Sequence, residues 1–217
     1  MNVTLIDSMG TDLSVANAAR VSFAKKNTEF KEPGDRKLIN FLAKHGHWTP
    51  FGHVTLSFHI SAPIFVARQL VKHQVGLVWN EVSRRYVDYE PDYWVPEHWR
   101  ARAEDKKQGS DENEYIDWLA RDERTGGRVS KVCDFAIQTY KLMLEKGVCP
   151  EQARMVLPQN TYTEWYWTGS LYAFARVCNL RCQPDAQKET RDICWEMDEL
   201  TKGLFPVSWG ALRNAAV

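Results

Sequence analysis

The stretch HVTLSFHISAPIFVARQLVKH, residues 53–73, decides the fold. Its first half alternates strictly, with Val54, Leu56, Phe58 and Ile60 on one face and His53, Thr55, Ser57 and His59 on the other. That is the period of a half-buried strand. The second half changes period. At roughly 100° per residue, Pro63, Ile64, Val66, Ala67, Leu70 and Val71 gather on one side of a helix and Arg68, Gln69, Lys72 and His73 on the other, with Phe65 alone breaking the pattern. Pro63 suits a first helical position, which needs no amide donor, and Gly76 ends the periodicity. A strand and a helix that each offer one apolar face predict an α+β chain, helices packed around strands at residues 3–6, 53–60 and 161–167.

The polar side of that helix runs into the densest set of donors in the chain. Across residues 68–86, RQLVKHQVGLVWNEVSRRY, the last helical turn is expected to present Lys72 and His73 with Arg68 and Gln69. Beyond a loop at 75–79 come Asn80, Glu81, Ser83, Arg84, Arg85 and Tyr86. Arg68, Lys72, Arg84 and Arg85 against Glu81 make this segment +3, in a chain whose 28 Lys and Arg balance 28 Asp and Glu. A solvated face and a polar loop is the plain alternative. Guanidinium forks that bind phosphate, amides that read ring edges and a hydroxyl that donates or accepts describe a nucleotide pocket better.

Toward the amino terminus, residues 3–6 read as a short strand, with a turn at Gly10 and a helix capped by Asp12 that runs through Asn17 to about Val21. A charged loop at 25–35 precedes a helix marked by Leu38, Ile39, Phe41 and Leu42 and ended by Gly46. HGHWTPFGH, residues 45–53, holds three histidines, yet no carboxylate is spaced with them and none pairs at helical zinc spacing, so no metal is expected.

Toward the carboxyl terminus, the aromatic and proline-rich segment 87–99 reads as an extended cover, and 102–113 as a solvated insertion. A first helix at 115–119 is expected to break at Gly126 and Gly127, ahead of a long core helix on which Val129, Val132, Cys133, Ala136, Ile137, Tyr140, Met143 and Leu144 recur as far as Gly147. EQARMVLP, residues 151–158, forms a short helix between Pro150 and Pro158, its Glu151 and Arg154 on one face as an expected ion pair. Residues 161–167 alternate around Tyr162, Trp165 and Trp167; Ser170 is placed to cap a helix at 171–180, with Arg181 at its end. The last helix, 185–204, carries a stripe of Ile193, Met197, Leu200 and Leu204 for packing or subunit contact.

At 217 residues with 44% hydrophobic side chains, one globular domain covering 1–217 is expected. No run approaches the ~18 to 20 apolar residues of a membrane span, and residues 1–14 lack the regions of a signal peptide, so a cytoplasmic protein is expected. The even charge balance argues against a nucleic-acid coat. Cys133, Cys149, Cys178, Cys182 and Cys194 lack paired spacing and read as buried free thiols, although Cys178 and Cys182 stand one helical turn apart.

Lys72, His73 and Gln74, then Ser83, Arg85 and Tyr86, resemble the signature of the flavin-dependent thymidylate synthases. In this chain Lys72 and Gln74 stand where that signature has arginines, and eight residues separate Gln74 from Ser83, one more than the signature. HGHWTPF at 45–51, EQARMVLP, YTEWYWT at 162–168 and NLR at 179–181 continue the resemblance in the same order. It implies a homotetramer with shared active sites that methylates deoxyuridine monophosphate (dUMP) to thymidine monophosphate (dTMP). Methylenetetrahydrofolate would give the carbon and NADPH would reduce bound FAD.

By resemblance, Gln69, Lys72, Ser83, Arg85 and Arg154 hold the nucleotide, along a lining of Leu70, Val71, Glu81, Val82 and Arg84, and Arg181 polarises the uracil. His47, Thr49, Lys72, His73, Gln74 and Glu81 serve FAD, with Ser170, Leu171, Tyr172 and Arg176 near the flavin. Tyr172 and Arg176 depart from the commonest residues of that family. Two other classes stay open on sequence: a flavoprotein acting on another pyrimidine or an RNA uracil, and a non-catalytic nucleotide sensor.

Overall fold

The computed structural model describes residues 1–104, 109–116 and 126–215. Six strands run β1 (Asn2–Met9), β2 (Thr55–Pro63), β3 (Leu77–Glu81), β4 (Arg100–Arg102), β5 (Ser110–Tyr115) and β6 (Tyr162–Ser170). A four-stranded sheet has the order β1-β2-β6-β3, and β4 and β5 form a separate antiparallel pair. Ser57 meets Thr168 and His59 meets Tyr166, so β2 and β6 run in opposite directions. β3 opposes β6 likewise, since Trp79 meets Trp167 edge-on while Ser170 N–H donates to the Gly76 carbonyl.

The alternation in 53–60 is realised as expected. Val54, Leu56, Phe58 and Ile60 are each fully buried, and each such burial contributes about 1.5 to 3 kcal/mol. On β6 the buried face is Thr163, Trp165, Trp167 and Gly169, which leaves Tyr162 on the opposite face from the two tryptophans. β2 extends three residues further than the sequence suggests, to Pro63, and the helix that follows is only Ile64–Leu70. Its first amides, from Ile64 and Phe65, donate to the carbonyls of Thr161 and Gln159, and this seats the helix start. Val66, Ala67 and Leu70 form the buried arc, but Lys72 and His73 lie in the turn after the helix and not on its last turn. Of the loop expected at 75–79, Val75 and Gly76 form a turn as expected, but Leu77–Trp79 begin an edge strand, β3.

The described residues form two compact units. The first comprises Met1, Ser61–Leu70 and the described part of Glu81–Trp165; the second comprises Asn2–Ile60, Val71–Asn80 and the chain from Tyr166 on.

In the first unit, helix Gly126–Glu145 buries Cys133, Ile137 and Tyr140 but exposes Val132. The aromatic cover is confirmed: Trp94 N–H donates to the Asn160 carbonyl, Tyr162 N–H to the Asp92 carbonyl, and Trp94 packs on Phe65. Of the solvated insertion expected at 102–113, residues 105–108 lie outside the described residues, and 110–113 bury little, as expected, but they belong to β5, with Arg100 Nε donating to Ser110 Oγ at 2.6 Å. An edge strand with both faces wet needs no apolar alternation, so period alone does not reveal it. Of the helix expected at 115–119, Tyr115 closes β5 and 117–119 lie outside the described residues.

In the second unit, Asp12 does not cap its own helix, Asp12–Arg20, whose cap is Thr11. Its carboxylate accepts from the amides of Val207 and Ser208 at 3.0 and 2.8 Å, at the start of a last helix, Pro206–Asn214, that the sequence reading passed over. A first-turn proline after Phe205 was the available signal. On helix Lys188–Leu204, Ile193 and Met197 are buried, whereas Leu200 and Leu204 are exposed.

One close approach fixes the turn before β3. Gly76 has φ +77, and its carbonyl lies where a side chain on Gly169 would go: a Cβ there would stand 2.5 Å from that oxygen and 2.4 Å from Leu77 Cδ2. Gly169→Ala is expected to cost about 1 to 3 kcal/mol through overpacking. Urea unfolding reads this as a lowered midpoint, and an unchanged midpoint contradicts the geometry.

Candidate active site

The residues singled out by sequence fall into two clusters, one in each unit. In the first unit, Ser83, Arg84 and Arg85 follow β3 in a turn whose start is tied down by Val82 N–H donating to the Glu164 carbonyl at 2.9 Å. Ser83 Oγ accepts from the Arg85 amide at 3.3 Å. Arg85 donates to the Tyr86 hydroxyl, lies over the Tyr86 ring, and approaches the Glu151 carboxylate at 3.9 Å. Arg154 donates from Nε to the Glu151 backbone carbonyl at 3.3 Å. The expected side-chain pair between Glu151 and Arg154 is thereby corrected, since the carboxylate turns to Arg85. Arg85 and Arg154 therefore meet at Glu151, with Ser83 joined to them only through the Arg85 amide; the sequence pattern shows Glu151 only as a surface partner.

Other first-unit residues have settled partners. Arg84 donates to the Tyr89 carbonyl at 2.6 Å and stacks on the Tyr89 ring, so its guanidinium braces the turn. Glu81 accepts from Thr163 Oγ1 at 2.8 Å. Leu70 is fully buried and offers a ligand no side chain. Gln69 differs: its Oε1 is buried without a hydrogen-bond partner, as suits a residue built to meet a ligand donor.

In the second unit, Gly76 holds the turn 71–76 against the start of helix Leu171–Arg181. Ser170 caps that helix, its hydroxyl accepting from the Ala173 amide at 3.2 Å, as expected from sequence. The Leu171 amide is spent on the Val54 carbonyl at 2.8 Å, and its side chain is fully buried. Tyr172 packs against Trp48, ring centroids 5.9 Å apart, while His47 lies edge-on to Phe41 at 5.9 Å and Thr49 opens the short helix Thr49–Gly52. Lys72, Gln74 and Arg176 are exposed, and Val71 is half-buried like Val82 of the other unit.

At the centre of this cluster, Arg181 Nε donates to His73 Nε2 at 3.0 Å. Among the described residues, no ion pair engages Lys72, Arg176 or Arg181. Burial first, and then repulsion from Arg181 and Arg176, lowers the His73 pKa from 6.5 to about 4. An imidazole that accepts from a guanidinium must be neutral at that nitrogen, so geometry and charge agree. Arg176 and Arg181, near the half-buried His73 ring and without an ion pair, suit a planar, anionic ligand.

The family model described as "Thymidylate synthase complementing protein" matches residues 4–207. A flavin-dependent thymidylate synthase of Thermus thermophilus is 39% identical over 212 residues, 98% of this chain and 75% of that protein. One from Kosmotoga olearia is 37% identical over 214 residues, 99% of this chain and 90% of that one. Among solved structures, a UMP/dUMP methylase PolB from Streptomyces cacaoi bound with 5-Br dUMP superposes with a TM-score of 0.84 at 29% identity, covering 99% of this chain and 97% of that one. The chain belongs to the flavin-dependent thymidylate synthase family.

The folded His73 resists the proton that the unfolded imidazole takes up near pH 6.5. Its contribution to stability is therefore fully present above 6.5 and is lost as pH falls from 6.5 through about 4. Titration of the His73 ring by NMR should give a midpoint near 4; a midpoint near 6.5 would show the ring open to water.

Proposed function

We propose that this chain acts as one functional domain that converts dUMP to dTMP, with methylenetetrahydrofolate as carbon donor and NADPH as the source of electrons through FAD. The observation that carries this reading is the second-unit cluster, where Arg181 donates to a neutral His73 near Arg176 and, among the described residues, neither cation has an ion pair. The family places flavin chemistry on the chain, and the cluster's donors fit such a group: cations for a diphosphate, and Trp48 with Tyr172 as an aromatic wall. FAD, when bound, supplies two-electron transfer between NADPH and the one-carbon unit. The step balances when the ring hydrogen leaves as a proton, the methylene takes its place and a hydride equivalent, two electrons with one proton, completes the methyl group, while the folate nitrogens take up two protons and tetrahydrofolate leaves.

The residues bind, orient and polarise. Arg85 and Arg154, with Ser83 and Gln69, take the nucleotide, Glu151 being displaced toward solvent as phosphate replaces its carboxylate at Arg85. In the second unit His47, Thr49, Lys72, His73, Gln74, Ser170, Tyr172 and Arg176 serve FAD, and in the first unit Glu81. Arg181 places its charge where negative charge develops on the pyrimidine. We assign the working form to a cytoplasmic homotetramer with sites shared between subunits, as the family resemblance implies.

The likeness to a UMP/dUMP methylase favours one second reading, in which UMP is also accepted. Purified protein supplied with FAD, NADPH, methylenetetrahydrofolate and either dUMP or UMP separates the two by the methylated product. Neither product, with nucleotide bound, would make the chain a sensor.

Arg181→Ala should nearly abolish dTMP formation while NADPH oxidation by the flavin continues, and Arg181→Lys should not restore it, because a compact ammonium lacks the planar fork. Thymidylate formation at the parental rate in Arg181→Ala would remove this residue from the site. Lys72 and Gln74 offer one point charge and one neutral amide where the family signature has two guanidinium forks. The protein is thus expected to lose flavin on extended dialysis, and Gln74→Arg to retain more; equal or weaker retention would contradict that role.

A further inference from the structure

We infer that His73 is a positioning residue for Arg181, accepting its Nε–H and so aiming the rest of the guanidinium at the substrate. The inference rests on the proposed role of Arg181 at the uracil.

Arg181 is the last residue of helix Leu171–Arg181, where a long side chain has no helix neighbour beyond it to fix its direction. The contact to His73 at 3.0 Å joins it to a residue 108 positions away, so the two are brought together by the fold. His73 is itself held at short range. Its turn closes with Leu77 N–H donating to the Gln74 carbonyl at 3.1 Å, and the Gly76 carbonyl accepts from Ser170 N–H at 3.2 Å. The turn that orients the acceptor and the helix that carries the donor therefore share one anchor, the start of helix Leu171–Arg181.

The choice of imidazole has a physical reason. A guanidinium has five N–H donors in a rigid plane, so fixing Nε–H fixes the direction of the terminal amino groups. A carboxylate could also accept that proton, but it would neutralise the charge on which polarisation of the ring depends. A neutral imidazole orients without quenching. To accept at Nε2 the ring must carry its proton on Nδ1, and burial beside Arg181 and Arg176 keeps it in that uncharged form.

Three substitutions at His73 and one spectrum test this in the FAD-loaded enzyme, with flavin saturating and its content measured for each variant. His73→Leu should lower kcat for dTMP about 10- to 100-fold with a smaller change in KM for dUMP, the loss of one charge-assisted hydrogen bond. His73→Gln, which keeps a neutral acceptor, should recover most of that loss. His73→Glu, which holds the guanidinium but cancels its charge, should not. Equal rates for the Leu and Gln variants, or full activity in the Glu variant, would overturn the inference. 15N spectra of the parental protein supply a readout independent of activity: Nδ1 protonated and Nε2 bare is required, and a proton on Nε2 would overturn the pairing even if every variant failed to fold. Absence of any methylated product from the parental enzyme would instead refute the proposed function, with the pairing still judged by the spectrum.

Discussion

The contact on which the second-unit cluster depends is a backbone one, the Gly76 carbonyl packed where Gly169 has no side chain. A Cβ at Gly169 would fall within 2.5 Å of that oxygen, and one on Gly76, at φ +77, would stand 3.1 Å from Ala173 Cβ. Two glycines from distant parts of the sequence thus let β3 and β6 close up. The turn carrying Lys72, His73 and Gln74 is held to the helix carrying Arg176 and Arg181 as a consequence. Ser170, next to Gly169, adds its amide to Gly76 and its hydroxyl to the helix cap. The chemistry of the cluster is built on that approach and not on the short helix before it.

Each cluster solves the problem of holding cations in its own way. In the first unit, Arg85 has the Glu151 carboxylate, the Tyr86 hydroxyl and a ring face, all exposed and exchangeable for a ligand's oxygens. An ion pair at 3.9 Å in water is worth little, about 0 to 1 kcal/mol, so a phosphate can replace it at small cost. In the second unit, Arg181 has a neutral partner, and its charge stays available. Cations arranged this way are expected where a phosphate must be captured and released and a ring must be polarised without release of the arginine.

Much of this was legible in the sequence, for reasons that differ by element. The strict alternation of Val54, Leu56, Phe58 and Ile60 marked β2 because one face is buried and the other is not. The apolar stripe Val66, Ala67 and Leu70 marked the helix, but its end was placed too late, since Val71 continues the stripe while the chain already turns. β3 escaped because LVWNE is an edge strand with little buried surface, and β5 because SDENEY has almost none. The last helix had only the first-turn Pro206 as its signal, and the role of Asp12 as its cap depends on a fold that brings residue 12 to residue 207. The candidate site residues were picked out by their residue types, and the capping role of Ser170 was legible from its position before the helix. The pairing of His73 with Arg181, the turn of Glu151 toward Arg85 and the bracing of Arg84 by Tyr89 were not, because side-chain partnerships across long separations leave no periodic trace.

The most direct test of flavin-dependent methylation is a single turnover without air. Protein whose FAD has been reduced by NADPH, and then freed of excess NADPH, is mixed with methylenetetrahydrofolate and dUMP while flavin absorbance and dTMP are followed together. The flavin should reoxidise in step with a stoichiometric yield of dTMP, and omission of dUMP should leave it reduced. Thymidylate formed while the flavin stays reduced, or flavin that reoxidises without methylated product, would contradict the account.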